Sequence, residues 1–349
     1  MPLTSKSTTP SPAKPDRTIA VYGAVGHTGR FVVSELRRRG WTTVLSGRNE
    51  AKLRAVGGAH PGSEMRVAPV DDPAALDRAI SGTVAVINCA GPFLDTAAPV
   101  IEAAVRARIH YLDVTAEQLA ALAAFERFAD AARDAGVVIA PAMAFYGGLG
   151  DLLATAAMGD WAAADEIRIA IALDSWKPTR GTRLTGKRNA GRRFVFSNDK
   201  LEFLADPPPT LMWNFPAPFG TQDVVSLPLA EIVTISSHLR TPEIRSYMNL
   251  APLTELRDPD TPAPAAADES GRSSQIFLMD VIARRGSEER RAIARGRDIY
   301  AITAPIIVEA AERILDGRFK AAGVAAAGEV FDARDFLRSL SSAHLSLES

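Results

Sequence analysis

The chain has 349 residues, of which 47% are hydrophobic and 23% charged, and its 40 basic side chains nearly balance its 41 acidic ones. This length suggests two domains, each large enough to bury a core. The balanced charge removes the general electrostatic argument for nucleic acid or an anionic membrane as a partner. The single cysteine, Cys89, excludes an intrachain disulfide, and no residues have the spacing of zinc ligands.

The composition predicts a soluble, cytoplasmic protein. No apolar run approaches the roughly 18 residues that are needed to span a bilayer. Residues 1–16 lack the apolar stretch of a secretory signal, and we expect them to form a disordered tail.

Between residues 17 and 150, short apolar runs alternate with amphipathic stretches, a pattern typical of βαβ units on a parallel sheet. Strands are predicted at 18–24, 42–47, 65–70, 83–91, 110–114 and 137–144. Helices are predicted at 27–40, after a cap at Asn49, from Pro73, at 96–108, and after a capping box of Thr115 and Gln118. Right-handed crossovers would assemble these units into a complete dinucleotide-binding sheet of the α/β Rossmann type.

The pattern changes after residue 150 and predicts an α+β region with an antiparallel or mixed sheet. Strands are expected at 166–176, 224–237, 275–284 and 290–296, and helices at 151–158, 298–315 and 332–340. The proline-containing stretch 206–220 is predicted to be loop, and 257–274 to be a mobile surface loop.

A glycine motif, G-x-x-G-x-x-G, lies between the first predicted strand and the first predicted helix. Gly23 permits a tight turn, Gly26 lets the backbone approach a pyrophosphate, and Gly29 lets helix and strand pack closely. The start of the helix presents free N–H groups and a partial positive charge to an anion. The sequence therefore predicts a dinucleotide site at this turn.

The end of the second strand distinguishes NADP from NAD. NAD sites usually place Asp or Glu there, whereas this chain has Ser46, Gly47, Arg48 and Asn49. Arg48 can hold a 2′-phosphate with two hydrogen bonds, which favours NADP(H), although a solvated arginine at a helix start is the plain alternative. Asp71 follows the third strand, where an adenine contact is expected, and Asp72 is equally compatible with a helix cap alone. The predicted cofactor contacts are Gly23, Val25, Gly26, His27, Thr28, Gly29, Ser46, Arg48, Asp71, Ala90, Gly91, Pro92, Phe93 and Val114.

Four segments together resemble the saccharopine dehydrogenase-like reductases, a group that includes the trans-acting enoyl reductases. They are 23–30 (GAVGHTGR), 90–93 (AGPF), 111–117 (YLDVTAE) and the run ending in Asp151 and Leu152. The resemblance continues weakly through 180–182 and 317–337. It implies a Rossmann domain at 17–150, an inserted substrate and dimerisation domain at 151–297, and C-terminal helices at 298–349 that pack on the first domain. A homodimer is the expected assembly.

Three positions depart from the pattern of that family. Ala116 stands where the family often has glycine, and Tyr146 and Leu149 stand where it often has an acid and a proline. The departures leave the cofactor expectation intact, but they put any substrate carried over from the family in doubt.

Hydride transfer requires orientation and a partner for the charge left on the acceptor, so we searched for a proton donor. The Y-x-x-x-K pair of short-chain dehydrogenases is absent from the sequence. Tyr146, after the sixth strand, is the first candidate, with a boundary tyrosine as its alternative. Lys177 is the second, because a partly buried ammonium group can have a lowered pKa.

Candidate substrate contacts come from both halves of the chain. They are Thr115, Glu117, Phe145, Arg180 and Arg183. Thr115 and Glu117 are also compatible with helix-start roles, and the two arginines belong to a basic stretch, 177–193, that could simply be solvated. As an anionic handle, this stretch would bind a carboxylate or a phosphopantetheine.

Other residues have plainer interpretations. Trp176, Trp213, Phe215, Phe219 and Tyr247 could wall an apolar pocket or form ordinary core. Cys89 is predicted to be a small buried core residue, His238 is a weak acid–base candidate, and no metal site is expected.

The sequence thus predicts an NADPH-dependent reductase that delivers hydride to a C=C, C=N or C=O group of a medium-sized, anionic metabolite. Two alternatives stay open at this point. One is a redox sensor that binds NADP without turnover, and the other is an assembly subunit whose second domain pairs with another enzyme.

Overall fold

The computed structural model describes residues 17–188, 193–320, 322–341 and 343–348. The predicted tail, 1–16, and Arg192 of the basic stretch lie outside these residues. The strands are β1 (Thr18–Tyr22), β2 (Thr42–Gly47), β3 (Glu64–Val67), β4 (Ala85–Asn88), β5 (His110–Asp113), β6 (Val138–Ala140), β7 (Glu166–Leu173), β8 (Phe194–Ser197), β9 (Lys200–Phe203), β10 (Thr210–Asn214), β11 (Thr221–Ser226), β12 (Ile244–Asn249), β13 (Ile276–Arg285), β14 (Glu288–Arg297), β15 (Gly323–Val324) and β16 (Leu345–Glu348).

A π-helical turn, Phe145–Leu149, accompanies the α-helices. The helices are α1 (His27–Arg38), α2 (Glu50–Ala59), α3 (Pro73–Ile80), α4 (Phe93–Ala107), α5 (Gln118–Ala135), α6 (Gly150–Met158), α7 (Arg180–Arg188), α8 (Glu231–Ser236), α9 (Leu250–Arg257), α10 (Thr303–Leu315), α11 (Ala327–Val330) and α12 (Ala333–Ser341).

The first sheet is parallel throughout and has the order β15-β6-β5-β4-β1-β2-β3. Its central strands are apolar on both faces because helices cover both sides, and Ile19, Val21 and Ile87 are fully buried. From β1 the chain continues to β2 and β3 on one side of the sheet, and from β4 it continues to β5 and β6 on the other side. A crevice therefore forms between the carboxyl ends of β1 and β4. The predicted α/β sheet is confirmed. Its seventh strand, β15, comes from the C-terminal part and was not predicted.

The second sheet is mixed and follows the path β10-β11-β12-β7-β13-β14-β16; β8 pairs with β12, and β9 pairs with β8. β12 and β7 are parallel, and the other pairs are antiparallel. The last strand, β16, pairs with β14, so the C-terminal part contributes one strand to each sheet. The proposed domain boundaries stay predictions.

The second half contains most of the errors in the predicted elements. The stretch 206–220 was expected to be loop, but it holds β10, an edge strand, where nearby prolines are tolerated. The apolar run 224–237 was expected to be one strand, but it divides into the end of β11 and the short buried helix α8. A short apolar run does not distinguish a buried strand from a buried helix.

The predicted capping box of α5 is also wrong. Thr115 accepts a hydrogen bond from the Glu117 N–H at 3.0 Å, and the helix begins only at Gln118. The Gln118 amide instead pairs with the backbone of Phe194, donating at 2.7 Å and accepting at 2.8 Å. A long-range contact thus takes the side chain that the local pattern assigned to the cap.

The β10–β11 hairpin folds back over the outer face of the second sheet. The Trp213 Nε1–H donates to Asp280 on β13 at 2.8 Å, and Arg291 on β14 donates to the Asn214 carbonyl at 3.1 Å. Because β10 and β13 lie far apart in the strand order, these contacts require the sheet to curl. Trp213, Phe215 and Tyr247 are therefore buried core residues of this face.

No helix in the described part of the chain is long and apolar enough to cross a membrane.

Buried hydrogen bonds of Asp151 connect α6 to His238 and to the start of α11, which lie far away in the sequence. The Asp151 carboxylate accepts from the Gly328 N–H at 2.8 Å and lies 2.6 Å from the His238 Nε2. Burial alone would lower the pKa of His238, but Asp151 outweighs it and raises that pKa above 6.5. Glu329 acts in the same direction as Asp151, and Lys320 acts against it.

We expect His238→Gln to destabilise the protein more at acid pH than at alkaline pH. A histidine whose pKa is raised on folding stabilises fully below its unfolded pKa, and that contribution is lost as the pH rises through the folded value. The free energy of unfolding should fall by about 1–3 kcal/mol near pH 5.5, and by less near pH 9. Urea denaturation at both pH values measures this difference.

His60→Gln is the matched control, because burial and Arg37 lower the pKa of His60. That variant should not lose more stability at acid pH. An equal loss at both pH values for His238→Gln would contradict a charged His238–Asp151 pair.

Candidate functional site

The glycine turn between β1 and α1 packs directly on the end of β4. Gly23 has φ +85°, and a Cβ there would lie 2.7 Å from the Ala90 nitrogen and the Cys89 carbonyl carbon. A Cβ on Gly29 would lie 2.3 Å from the Gly23 carbonyl oxygen. Both positions therefore require glycine, as the motif predicts, and the backbone itself forms the wall of the crevice.

The start of α1 offers N–H donors that no side chain in the described part of the chain caps. Gly26 is the N-cap residue. The Ser46 Oγ and the His27 Nε2 are buried and have no hydrogen-bond partner among the described residues. Burial lowers the pKa of His27, so its imidazole is neutral near pH 7. A cradle of this kind, with unpartnered polar atoms and a helix N-terminus, fits the phosphates of a dinucleotide.

Arg48 lies exposed at the end of β2, as the NADP hypothesis requires. Among the described residues it makes no hydrogen bond or ion pair, whereas the following Glu50 bonds Arg54 at 2.5 Å. Burial raises the pKa of Tyr22 to about 12, with Arg48 opposing the shift and Asp71 adding to it. Arg48 and Asp71 thus lie on the same edge.

Asp72 is a helix cap, one of the two roles considered for it. Its Oδ1 accepts from the Ala75 N–H at 2.9 Å at the start of α3.

The loop after β4 brings the predicted segment 90–93 to the glycine turn. The Gly91–Pro92 peptide is cis, and α4 begins at Phe93, three residues before the predicted start at 96. Val25, Thr28, Gly91 and Val114 are half-buried or exposed around this crevice, and Phe93 is buried. The contacts of these residues with a cofactor stay predictions.

Glu117 caps α4 rather than its own helix. Its two carboxylate oxygens accept from the N–H groups of Phe93 at 2.8 Å and Leu94 at 3.0 Å. The Thr185 hydroxyl donates to the same carboxylate at 3.1 Å, and the residue is 2% exposed. These bonds occupy the carboxylate, so the geometry favours a structural role over the predicted substrate contact.

Asp113, at the end of β5, centres a buried network that the sequence did not single out. It accepts from the N–H groups of Thr115 and Ala142, both at 2.9 Å, and from the Tyr111 hydroxyl at 2.8 Å. Burial raises its pKa from 3.8 to about 6, although these three donors stabilise the charged form. Thr115 is itself fully buried. The network fixes the loops after β5 and β6, which carry the candidate residues.

Tyr146 lies in the π-helical turn after β6, and its hydroxyl is buried with no hydrogen-bond partner in the described part of the chain. Burial raises its pKa well above 10.0, and the groups that act on it next are Tyr300, Glu231 and Arg193. The ring packs at 6.2 Å from that of Trp176. Tyr146 is thus not a boundary tyrosine with a hydrated hydroxyl, but a neutral buried phenol at the edge of the sheet.

Phe145 is a core residue, which disagrees with its predicted substrate contact. Its ring packs edge-on against Phe277 at 4.8 Å and against Tyr146 at 5.0 Å, and it is 1% exposed.

Three residues near Tyr146 come from distant parts of the sequence, and of these only Arg193, the last residue of the basic stretch 177–193, had a signal in the sequence. Glu231 starts α8 and is buried, and burial raises its pKa. Arg193 precedes β8 and donates to the Pro228 carbonyl at 3.0 Å. Tyr300 precedes α10, and only the fold brings it to this edge.

The three predicted basic residues of this region differ in exposure and in hydrogen bonding. Lys177 is exposed, so it is not the partly buried ammonium group that was expected of a proton donor. Arg183 donates to the carbonyls of Asp258 at 3.0 Å and Thr261 at 2.8 Å and so ties down the loop 258–261. Arg180 is exposed and makes no hydrogen bond or ion pair among the described residues, which leaves it able to bind an anion.

Burial raises the pKa of the Cys89 thiol, which disfavours a nucleophilic role. His238 is engaged with Asp151. In the described part of the chain, no group of three or more His, Cys, Asp or Glu residues could hold a metal ion.

Residues 19–140 match the family model described as the saccharopine dehydrogenase NADP binding domain. The resemblance found in the sequence is therefore confirmed for the nucleotide domain, and the match supports NADP(H) as the cofactor.

Two curated relatives and one solved structure extend the comparison. A trans-acting enoyl reductase of Mycobacterium tuberculosis is 27% identical over 141 residues, which are 39% of this chain and 34% of the relative. A saccharopine dehydrogenase-like oxidoreductase of Rattus norvegicus is 28% identical over 117 residues, 28% of this chain and 27% of the relative. The chain thus spans 27% to 34% of the length of these relatives.

The solved structure is the apo saccharopine dehydrogenase (L-Glu forming) from Saccharomyces cerevisiae. It covers 95% of this chain and 99% of its own, with a TM-score of 0.65 and 12% sequence identity. This likeness shows that the fold extends over both sheets.

Gly26→Val should abolish dinucleotide binding while leaving the protein folded. A Cβ there would lie 3.2 Å from the Gly23 carbonyl oxygen, and the branched side chain would stand where phosphates approach the start of α1. Titration of nicotinamide fluorescence should give at least a roughly hundredfold loss of NADPH affinity, equivalent to about 2.7 kcal/mol.

Gly58→Val is the matched control, because Gly58 is an exposed glycine of α2 and a Cβ there meets no atom within 4 Å. It should keep the affinity of the unmodified protein. Undiminished binding by Gly26→Val would refute the phosphate role of the turn.

Proposed function

We propose that the protein is an NADPH-dependent reductase that transfers hydride to a C=C, C=N or C=O group of a medium-sized, anionic metabolite. The observation that carries the proposal is the uncapped start of α1 behind a glycine turn, with an unpaired Arg48 at the end of β2. The named activities of the similar proteins, a reductase and an oxidoreductase, point to the same chemistry. A homodimeric assembly and a cytoplasmic location stay predictions.

The site has residues that fit the phosphate groups of the cofactor. The N–H groups at the start of α1 would hold the pyrophosphate, and Arg48 would hold the 2′-phosphate. The missing carboxylate after β2 removes the residue that would repel that phosphate. When bound, NADPH supplies the hydride. The protein contributes orientation, exclusion of water and a proton.

Tyr146 is the proposed proton donor. Its hydroxyl is protonated at neutral pH, because a phenol has a pKa near 10 even without the upward shift that burial causes. Among the described residues it has no hydrogen-bond partner that would compete for its proton. It follows β6 at the edge that carries the glycine turn. A substrate oxygen, nitrogen or carbon that gains negative character on hydride transfer would receive the proton from this hydroxyl.

Arg180 is the proposed contact for the anionic group of the substrate. Arg180 is exposed and makes no hydrogen bond or ion pair among the described residues, whereas Arg183 is engaged with backbone carbonyls. A guanidinium group binds carboxylate and phosphate with two hydrogen bonds. Phe145 and Glu117 are not part of this proposal, because packing and helix capping already occupy them.

Arg48→Ala should weaken NADPH binding by about tenfold to a hundredfold, the loss expected for hydrogen bonds to a charged group. Its effect on NADH affinity should be less than about twofold, since NADH has no 2′-phosphate. Fluorescence titration with both cofactors measures the two affinities. Arg54→Ala is the control, because Arg54 is exposed but paired with Glu50. Equal losses for NADPH and NADH would refute the assignment of Arg48.

Tyr146→Phe should lower turnover by about a hundredfold or more, the usual contribution of general acid catalysis. NADPH affinity and melting temperature should hardly change, because the hydroxyl that is removed makes no hydrogen bond. NADPH oxidation by a panel of enone, imine and carbonyl acceptors measures the turnover.

Tyr247→Phe, a buried tyrosine on the opposite face of the second sheet, is the control and should retain activity. Unchanged turnover in Tyr146→Phe would exclude Tyr146 as the donor. Tight NADPH binding without oxidation by any acceptor would favour a redox sensor over a reductase.

A further inference from the structure

Tyr300 joins the glycine turn to the start of α7. Its ring lies edge-on to that of His27, with centroids 5.3 Å apart and an interplanar angle of 87°. His27 is the first residue of α1, whose N-terminus is the proposed phosphate site. One side of Tyr300 therefore contacts the turn that would hold the cofactor.

The hydroxyl of Tyr300 is bonded to the segment that leads into α7. It accepts from the Trp176 Nε1–H at 3.0 Å and from the Thr179 N–H at 3.4 Å. It also lies 2.9 Å from the Thr182 hydroxyl. Thr179 and Thr182 are linked in turn, since the Thr182 N–H donates to the Thr179 hydroxyl at 3.0 Å. These bonds fix the first turn of α7, which carries Arg180.

A separate set of hydrogen bonds, accepted by Asp298, holds the backbone of Tyr300 in place. Asp298 is fully buried with φ 57°, and its carboxylate accepts from the N–H groups of Tyr300 at 3.0 Å and Ala301 at 3.1 Å. Its second oxygen accepts from the Ser273 N–H at 2.7 Å. The backbone of Tyr300 is thus rigid, and only its ring and hydroxyl can respond to changes on either side.

We propose that Tyr300 couples occupancy of the dinucleotide site to the order of segment 176–188, so that bound cofactor favours binding of the anionic substrate. The inference rests on the proposed function. Phosphates at the start of α1 would hold the turn and the His27 ring in one arrangement. Tyr300 then keeps a single position, and its hydroxyl bonds the residues around Arg180. Tyr300 acts here as a positioning residue and contacts no reacting atom.

Coupling between sites requires that the first ligand binds one arrangement better than the other. Typical couplings change an equilibrium by about 5-fold to 150-fold. In the segment 176–188 such a change should be visible without any substrate, as slower exchange of its backbone amides when NADPH is bound. The expected slowing is about fivefold or more.

The experiment is hydrogen–deuterium exchange of the full chain, followed by mass spectrometry, with and without saturating NADPH. The quantity compared is the ratio of exchange rates with and without NADPH, within each variant, for peptides from 176–188. Tyr300→Phe keeps the ring contact with His27 but removes the hydroxyl and its three bonds. It should retain NADPH affinity within about twofold and lose the slowing.

Thr182→Val tests the hydrogen bond between the Tyr300 and Thr182 hydroxyls by changing Thr182 instead of Tyr300. Its result therefore does not depend on whether Tyr300→Phe folds. It removes the hydroxyl that lies 2.9 Å from Tyr300 and should likewise reduce the slowing. Tyr247→Phe is the matched control and should behave like the unmodified protein, because Tyr247 packs beside Trp213 on the other face of the second sheet.

The outcomes separate this inference from the proposed function. If NADPH binds the unmodified protein but does not slow exchange at 176–188, the coupling is refuted and the cofactor assignment stands. If both variants keep the full slowing, the assignment to Tyr300 is refuted. If NADPH does not bind at all, both proposals fail. Loss of slowing in Tyr300→Phe and Thr182→Val, but not in Tyr247→Phe, supports the coupling.

Discussion

The close approach of the glycine turn to the end of β4 is the constraint on which the site depends. A Cβ on Gly23 would lie 2.7 Å from two backbone atoms of Cys89 and Ala90. The approach brings the start of α1 to the crevice between the two halves of the parallel sheet, where the strand order reverses. It also brings the loop after β4 within reach of the turn. Neighbouring loops are then held relative to this fixed point.

Buried carboxylates hold the neighbouring segments in place. Glu117 joins the loop after β5 to α4, Asp113 joins the loops after β5 and β6, and Asp298 fixes the residues before α10. Each accepts at least two backbone N–H groups, which offsets the cost of burying the charge. An acid near a binding edge is therefore not by itself a sign of catalysis. Glu117 illustrates this, because its bonds leave it no free oxygen.

Much of the nucleotide half could be predicted from the sequence, because its rules are local. Alternation of strand and helix predicts the parallel sheet, and Gly23, Gly29 and the missing acid after β2 predict the cofactor. The second half is governed by long-range contacts that no short pattern reveals. The β10–β11 hairpin is stabilised by Trp213 bonding Asp280 across the curled sheet, and β15 and β16 complete sheets begun far earlier in the chain. Tyr300 and Glu231 were missed for the same reason.

Three of the nine buried side-chain polar atoms that lack a hydrogen-bond partner among the described residues lie at the carboxyl edge of the first sheet, where a ligand would bond them. They are the Ser46 Oγ near the end of β2, the His27 Nε2 at the start of α1 after β1, and the Tyr146 hydroxyl after β6. Each such group costs about 1–3 kcal/mol if it stays unpaired. Glu117, Asp113 and Asp298 accept backbone N–H groups nearby, whereas the Glu231 Oε2, close to Tyr146, has no hydrogen-bond partner among the described residues. Unpaired atoms beside a well-bonded frame are what a site built to bond a dinucleotide and its substrate requires. The same reasoning explains why Tyr146, whose burial disfavours ionisation, retains its proton until an acceptor reaches it.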